Sequence, residues 1–197
     1  MMGTTHMLTA FTIVATGARM GILPAEIYYY VPAVIGGVLP DIDHANSWIA
    51  HKVSITIKIP LPFGLGRSIF KKGFIPIELN PIYWCLSMFT EHRKQTHSLG
   101  AVILLAALSI LVVMPFIQYL PMAFFINFLI GYLSHIGMDM LTKEGASIFW
   151  PLDAKKYSLL PFTTGGIGET LIDLALFAWL GVLYSPQIIE AFNRIHF

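Results

Sequence analysis

From Gln95 to Met138 the chain carries no lysine, arginine, aspartate or glutamate. A charge-free run of that length is enough for two helices of membrane depth, each taking about 20 apolar residues, with a break near Pro115 to Pro121. Charged residues make up 12% of the chain and hydrophobic residues 56%, with a mean hydropathy of +0.70, whereas an ordinary soluble domain is roughly a quarter charged. The expected fold class is all-α: a membrane-embedded up-and-down helical bundle, one domain over residues 1–197.

The flanking segments extend this pattern. An apolar stretch from His6 to about Ile22, with only Arg19 charged, reads as a first helix capped by Thr4 or Thr5. A break at Pro24 separates it from a second apolar segment, Tyr28 to Leu39, which stops at Pro40. Residues 45–91 interleave Lys52, Lys58, Arg67, Lys71 and Lys72 with Pro60, Pro62, Gly64, Gly66, Gly73, Pro76 and Pro81 and read as a loop or a set of short surface helices with an interfacial role. After the second half of the charge-free run, Met122 to about Leu141, come a loop and a last helix, Leu171 to Tyr184. The first, second and last apolar segments are shorter than a spanning helix wants, so they suit a half-inserted bundle as well as full spans. The N-terminus has no basic region and no small-residue cleavage pattern, so the first segment is expected to be retained.

Few side chains in this apolar setting can carry chemistry. His135 and Asp139 stand four apart, so a helix places them on one face. An ionised carboxylate among Phe, Ile and Leu costs several kcal/mol unless a partner or a metal offsets its charge. One such pair alone is explained by a histidine hydrogen-bonded to an aspartate. Here, however, His6, Asp41 and Asp43, His92 and His97, His135 and Asp139, and Glu169 all fall near the same end of successive antiparallel helices. Independent core histidines or caps have no reason to share an end.

The single cysteine, Cys85, excludes an internal disulfide and a thiolate zinc cluster. Imidazole and carboxylate donors without thiolate suit Zn, Mn, Fe or Ni, and there are enough of them for two or more divalent ions. Arg93 can neutralise an anionic substrate, or pair with Asp43 or Glu91. Asp43 and His44 can be ligands or can orient ligating imidazoles. Thr96 and Ser98 read as caps of the helix starting at Leu99, and the glycines at 165–168 as a turn before Glu169. A net charge of +1 leaves no broad basic field, so no nucleic-acid partner is expected. The lysines and arginines concentrate on the loops at the site end, which predicts that this end faces the cytoplasm.

Three stretches carry a family resemblance: Leu39-Pro40-Asp41-Ile42-Asp43-His44; His92-Arg93 through Thr96-His97-Ser98; and Gly131 through His135, Asp139, Leu141-Thr142 and Gly145, followed by Phe149-Trp150-Pro151. From His6 to about Glu169 the chain resembles the YdjM-type family of LexA-regulated, inner-membrane-associated metal-dependent hydrolases of bacteria. It departs from the pattern at Lys94-Gln95, where glycine and an apolar residue are usual, and in a longer stretch between His44 and His92. More distantly it resembles the superfamily of zinc-dependent phospholipase C and single-strand-specific zinc nuclease. That likeness implies His6, Asp41, His92 or His97, His135 and Asp139 as metal ligands, zinc the expected metal, with His44 and Glu169 as further candidates. Arg93 and Asp43 are the expected catalytic groups. The expected function is hydrolysis of a phosphoester, small-molecule or lipid, at the inner membrane. The alternative is a non-enzymatic membrane protein that binds or transports a metal ion, since intramembrane His and Asp also mark ion pathways.

Overall fold

Helix α1, Gly3–Arg19, begins earlier than the His6 read from the sequence, and neither expected threonine caps it. The Thr5 hydroxyl instead donates across to Asp173 Oδ2 at 3.2 Å. Thr9, Thr12 and Thr16 return their hydroxyls to the carbonyls of Thr5, Leu8 and Thr12, so their polarity is satisfied within the helix. The helix ends at Arg19 and not at Ile22, because Gly21 takes a φ of +71° and turns the chain. The computed structural model describes residues 1–43, 55–60, 74–79, 94–116 and 121–196.

A 3-10 turn, Ile27–Tyr29, leads into α2, Tyr30–Val38. A second 3-10 turn, Leu39–Asp43, contains Pro40 and carries Asp41 and Asp43. Within residues 45–91 the described segments are strands, not a loop or short helices. Strand β1, Ile55–Pro60, pairs antiparallel with β2, Phe74–Leu79, in the register Ile55↔Leu79 and Ile57↔Ile77. The alternation of Ile55, Ile57 and Ile59 with Thr56 and Lys58 has the strand period of two, which accounts for the difference.

Helix α3, Leu99–Phe116, and helix α4, Met122–Met140, fill the charge-free run. Helix α5 runs Ile167–His196, well beyond the expected Leu171 to Tyr184; Glu169 lies in its first turn and Pro186 inside it. Among the described residues the fold is thus helical apart from one hairpin. Among them, too, two helices are long and apolar enough to cross a membrane, Met122–Met140 and Ile167–Glu190. In that window α5 is only 6% buried, so almost its whole circumference is left for a covering by lipid or protein.

The tightest packing is between α2 and α4, and glycine makes it possible. A Cβ on Gly131 would lie 1.9 Å from Ala33 O, and one on Gly36 would lie 2.1 Å from Phe128 O. With no side chains between them the two backbones touch. The buried face of α4 holds Asn127, Gly131, Tyr132, His135, Ile136 and Asp139, recurring at helical spacing. The glycine seam and the polar site therefore belong to one stripe of one helix.

Candidate metal centre

Four side chains from different parts of the chain converge: Asp41 from the second 3-10 turn, His97 from just ahead of α3, and His135 and Asp139 from the last turns of α4. One donor atom from each lies within 4.8 Å of the others, and the group can hold a metal ion. His97, His135 and Asp139 are fully buried. His97 Nε2 is 3.1 Å from His135 Nε2, 3.2 Å from Asp139 Oδ2 and 3.5 Å from Asp41 Oδ1. His135 Nε2 is 3.4 Å from Asp41 Oδ1 and 3.5 Å from Asp139 Oδ2. Four donors about 2.0 to 2.1 Å from a tetrahedral ion stand roughly 3.3 to 3.4 Å from one another. Five of the six separations here cluster around that value.

Hydrogen bonds outside the cluster set the tautomers. His135 Nδ1 lies 2.8 Å from Gly37 O, an acceptor only, so Nδ1 carries the proton. The Thr96 hydroxyl donates to Asp43 Oδ2, so its oxygen accepts from His97 Nδ1 at 2.9 Å. Both neutral rings then turn an Nε2 lone pair inward, and two lone pairs 3.1 Å apart repel unless a cation lies between them. Protons or a metal ion can fill that role. Burial works against the Asp41 carboxylate, yet when the inward Nε2 atoms of His135 and His97 carry protons, their hydrogen bonds and charge hold it well below the usual carboxylate range.

His6 stands beside this group. Its ring stacks on His135 with centroids 3.7 Å apart, and its Nε2 is 3.4 Å from Asp139 Oδ1. Neither ring nitrogen of this fully buried histidine finds a hydrogen-bond partner among the described residues. The Met1 amino group donates to the same Asp139 oxygen at 2.9 Å. Asp139 thus faces two ways, Oδ2 toward the His97–His135 pair and Oδ1 toward His6.

Glu169, also fully buried, accepts from the backbone of Met2 at 2.5 Å and of Gly165 at 2.6 Å, so it ties α5 to the start of α1 and to the preceding turn. Asp43 meets the Thr96 hydroxyl. His44, His92 and Arg93 lie outside the described residues. Ser98 is the cap expected from the sequence, its Oγ accepting from Ala101 N at 3.1 Å, whereas Thr96 bridges Asp43 and His97. Thr96 and two further positioning groups escape a reading by residue type. Tyr132 donates its hydroxyl to Thr96 O at 2.6 Å, and Gly37 offers its carbonyl to His135. Tyr132 at three residues before His135 was the available signal, since that spacing shares a helical face.

Fold and site together define a class: a helical membrane protein with a buried histidine–aspartate cluster where its helices end. The chain belongs to the YdjM inner membrane protein family, whose model matches residues 1–192. It is 32% identical over 154 residues to Inner membrane protein YdjM of Escherichia coli (strain K12), and to the protein of that name from Shigella flexneri. Each match covers 77% of this chain and 65% of the relative, so the chain spans somewhat under two thirds of those relatives' length. No solved structure matches.

Proposed function

We propose that the chain is a zinc-dependent hydrolase of the bacterial inner membrane, acting on a phosphoester of a lipid or a small molecule. The observation that supports it best is the pair of inward Nε2 atoms 3.1 Å apart, each with its Nδ1 proton committed elsewhere, flanked by two carboxylates. Two imidazoles and two carboxylates at tetrahedral spacing, without thiolate, suit zinc. Asp41, His97, His135 and Asp139 would hold one ion, and His6 with Asp139 Oδ1 would contribute to a second. When bound, such ions supply positive charge for polarising a phosphoryl oxygen and for acidifying water.

The chain's own groups then have distinct tasks. The Asp41 and Asp139 carboxylates balance the charge of a dication in a buried setting. Thr96 and the Gly37 carbonyl keep both imidazoles in the ligating tautomer, and Asp43 acts through Thr96 by taking its hydroxyl proton. Arg93, four residues before His97 in sequence, is assigned to the anionic substrate. Among the described residues the donors collect at one end of the helices and do not line a path through them, which favours an enzyme over an ion carrier. Protein purified in detergent should contain at least one equivalent of zinc and should hydrolyse a phosphodiester or phospholipid, with loss on chelation and return on adding zinc. Metal-free, inactive protein from zinc-replete cells would overturn the reading.

A further inference from the structure

The segment 141–166 joins α4 to α5, the two helices of membrane-crossing length, so both its ends sit where an apolar span finishes. It starts two residues after Asp139 and therefore lies at the end that holds the cluster. Its backbone is well tied: Ala146 and Tyr157 exchange hydrogen bonds at 3.1 and 2.9 Å, Lys143 N donates to Phe162 O at 2.9 Å, and Leu159 N donates to Met140 O at 2.7 Å. This scaffold nevertheless points large apolar side chains outward. Leu152 is 94% exposed and Leu159 66%, and Ile167 at the start of α5 is 81% exposed. Lys143, Lys155 and Lys156 are exposed beside them, as is Glu144, and Lys155 and Lys156 lie nearest in sequence to Leu152 and Leu159. The Asp153 carboxylate is taken up by the Tyr157 hydroxyl and the Lys155 backbone N–H. The turn at the opposite end also exposes Met20, Ile22 and Ile27, but its charged residues are only Arg19 and Glu26.

We propose that segment 141–166 is a lipid-binding rim, seated in the headgroup layer of the leaflet on the cluster's side, with anionic phospholipid as its partner. Leucines held outward at the end of a membrane span lie at the depth of the upper acyl chains, and lysines among them reach the phosphates with flexible stems. The rim is independent of what the cluster binds, so its test does not involve metal.

The test uses the full chain in vesicles, in a Cys85→Ser background, with a bimane label on Leu152→Cys and, separately, on Leu159→Cys. Expected are blue-shifted emission, quenching by lipids with a nitroxide near the headgroup, and protection from aqueous iodide. The shift should be larger in phosphatidylglycerol vesicles than in phosphatidylcholine and should lose that difference in Lys155→Gln/Lys156→Gln. Full iodide quenching at both labels would overturn the rim. Protection from iodide without nitroxide quenching would overturn it too, since protein and not lipid would then cover the segment. Equal behaviour in the two lipids would overturn the anionic partner.

Discussion

At the scale of single residues, the proposed centre is a competition between protons and metal for the same inward lone pairs. Ligating imidazoles must be deprotonated, so on the proposed reading bound zinc should leave as the pH falls. Asp41 behaves differently. Its folded-state carboxyl is held low by His135 and His97, so its contribution to stability is present above the unfolded value of about 3.9 and is lost as pH falls below it. Metal content should therefore fall as the pH is lowered, and the melting temperature should lose the Asp41 contribution below about pH 3.9. Asp139→Asn removes the charge and should abolish zinc retention in a chain that still folds. Thr96→Ala should weaken zinc binding by about 10-fold or more through the loss of tautomer control on His97, with Thr96→Ser restoring it. Ser98→Ala is the matched control: it loses a cap, costs about 1 kcal/mol of stability and leaves zinc content unchanged.

At the scale of elements, much of the bundle was legible because the hydrophobic period and the gaps between charges mark helices directly. The candidate donors were legible because His and Asp are conspicuous in apolar helices. Thr96 reads as a cap since its neighbours in sequence fit one, and nothing local reveals that Asp43, more than fifty residues away, takes its proton. Gly131 is silent for another reason: a glycine in an apolar helix bears no mark of what faces it. Gly131→Ala should push α2 from α4, break the Gly37 to His135 contact, destabilise the protein by about 1–3 kcal/mol or more, and reduce bound zinc. Gly137, where an added Cβ would meet nothing within 4 Å, is the comparison. There the alanine should be neutral or slightly stabilising in a thermal melt, as helix propensity favours it.

For the whole molecule, the distribution of lysines between the two ends predicts that the cluster's end faces the cytoplasm. Cysteine labels at Lys155 should react from the cytoplasmic side of inverted vesicles and not from the periplasm, and labels at Ile22 should do the reverse. Periplasmic reactivity at Lys155 would invert the topology. Finally, Asp139 meets the amino group of a residue 138 positions earlier, and no local stretch contains more than two of the clustered donors. During synthesis, α1 is made long before α4 exists, and closing such a long loop makes the encounter slow. His6 and Asp41 must wait, exposed to whatever the nascent chain meets, until α4 arrives and the glycine seam locks. Completion of the centre is therefore an event of late assembly, and a chain stopped after α3 should insert yet carry no ion.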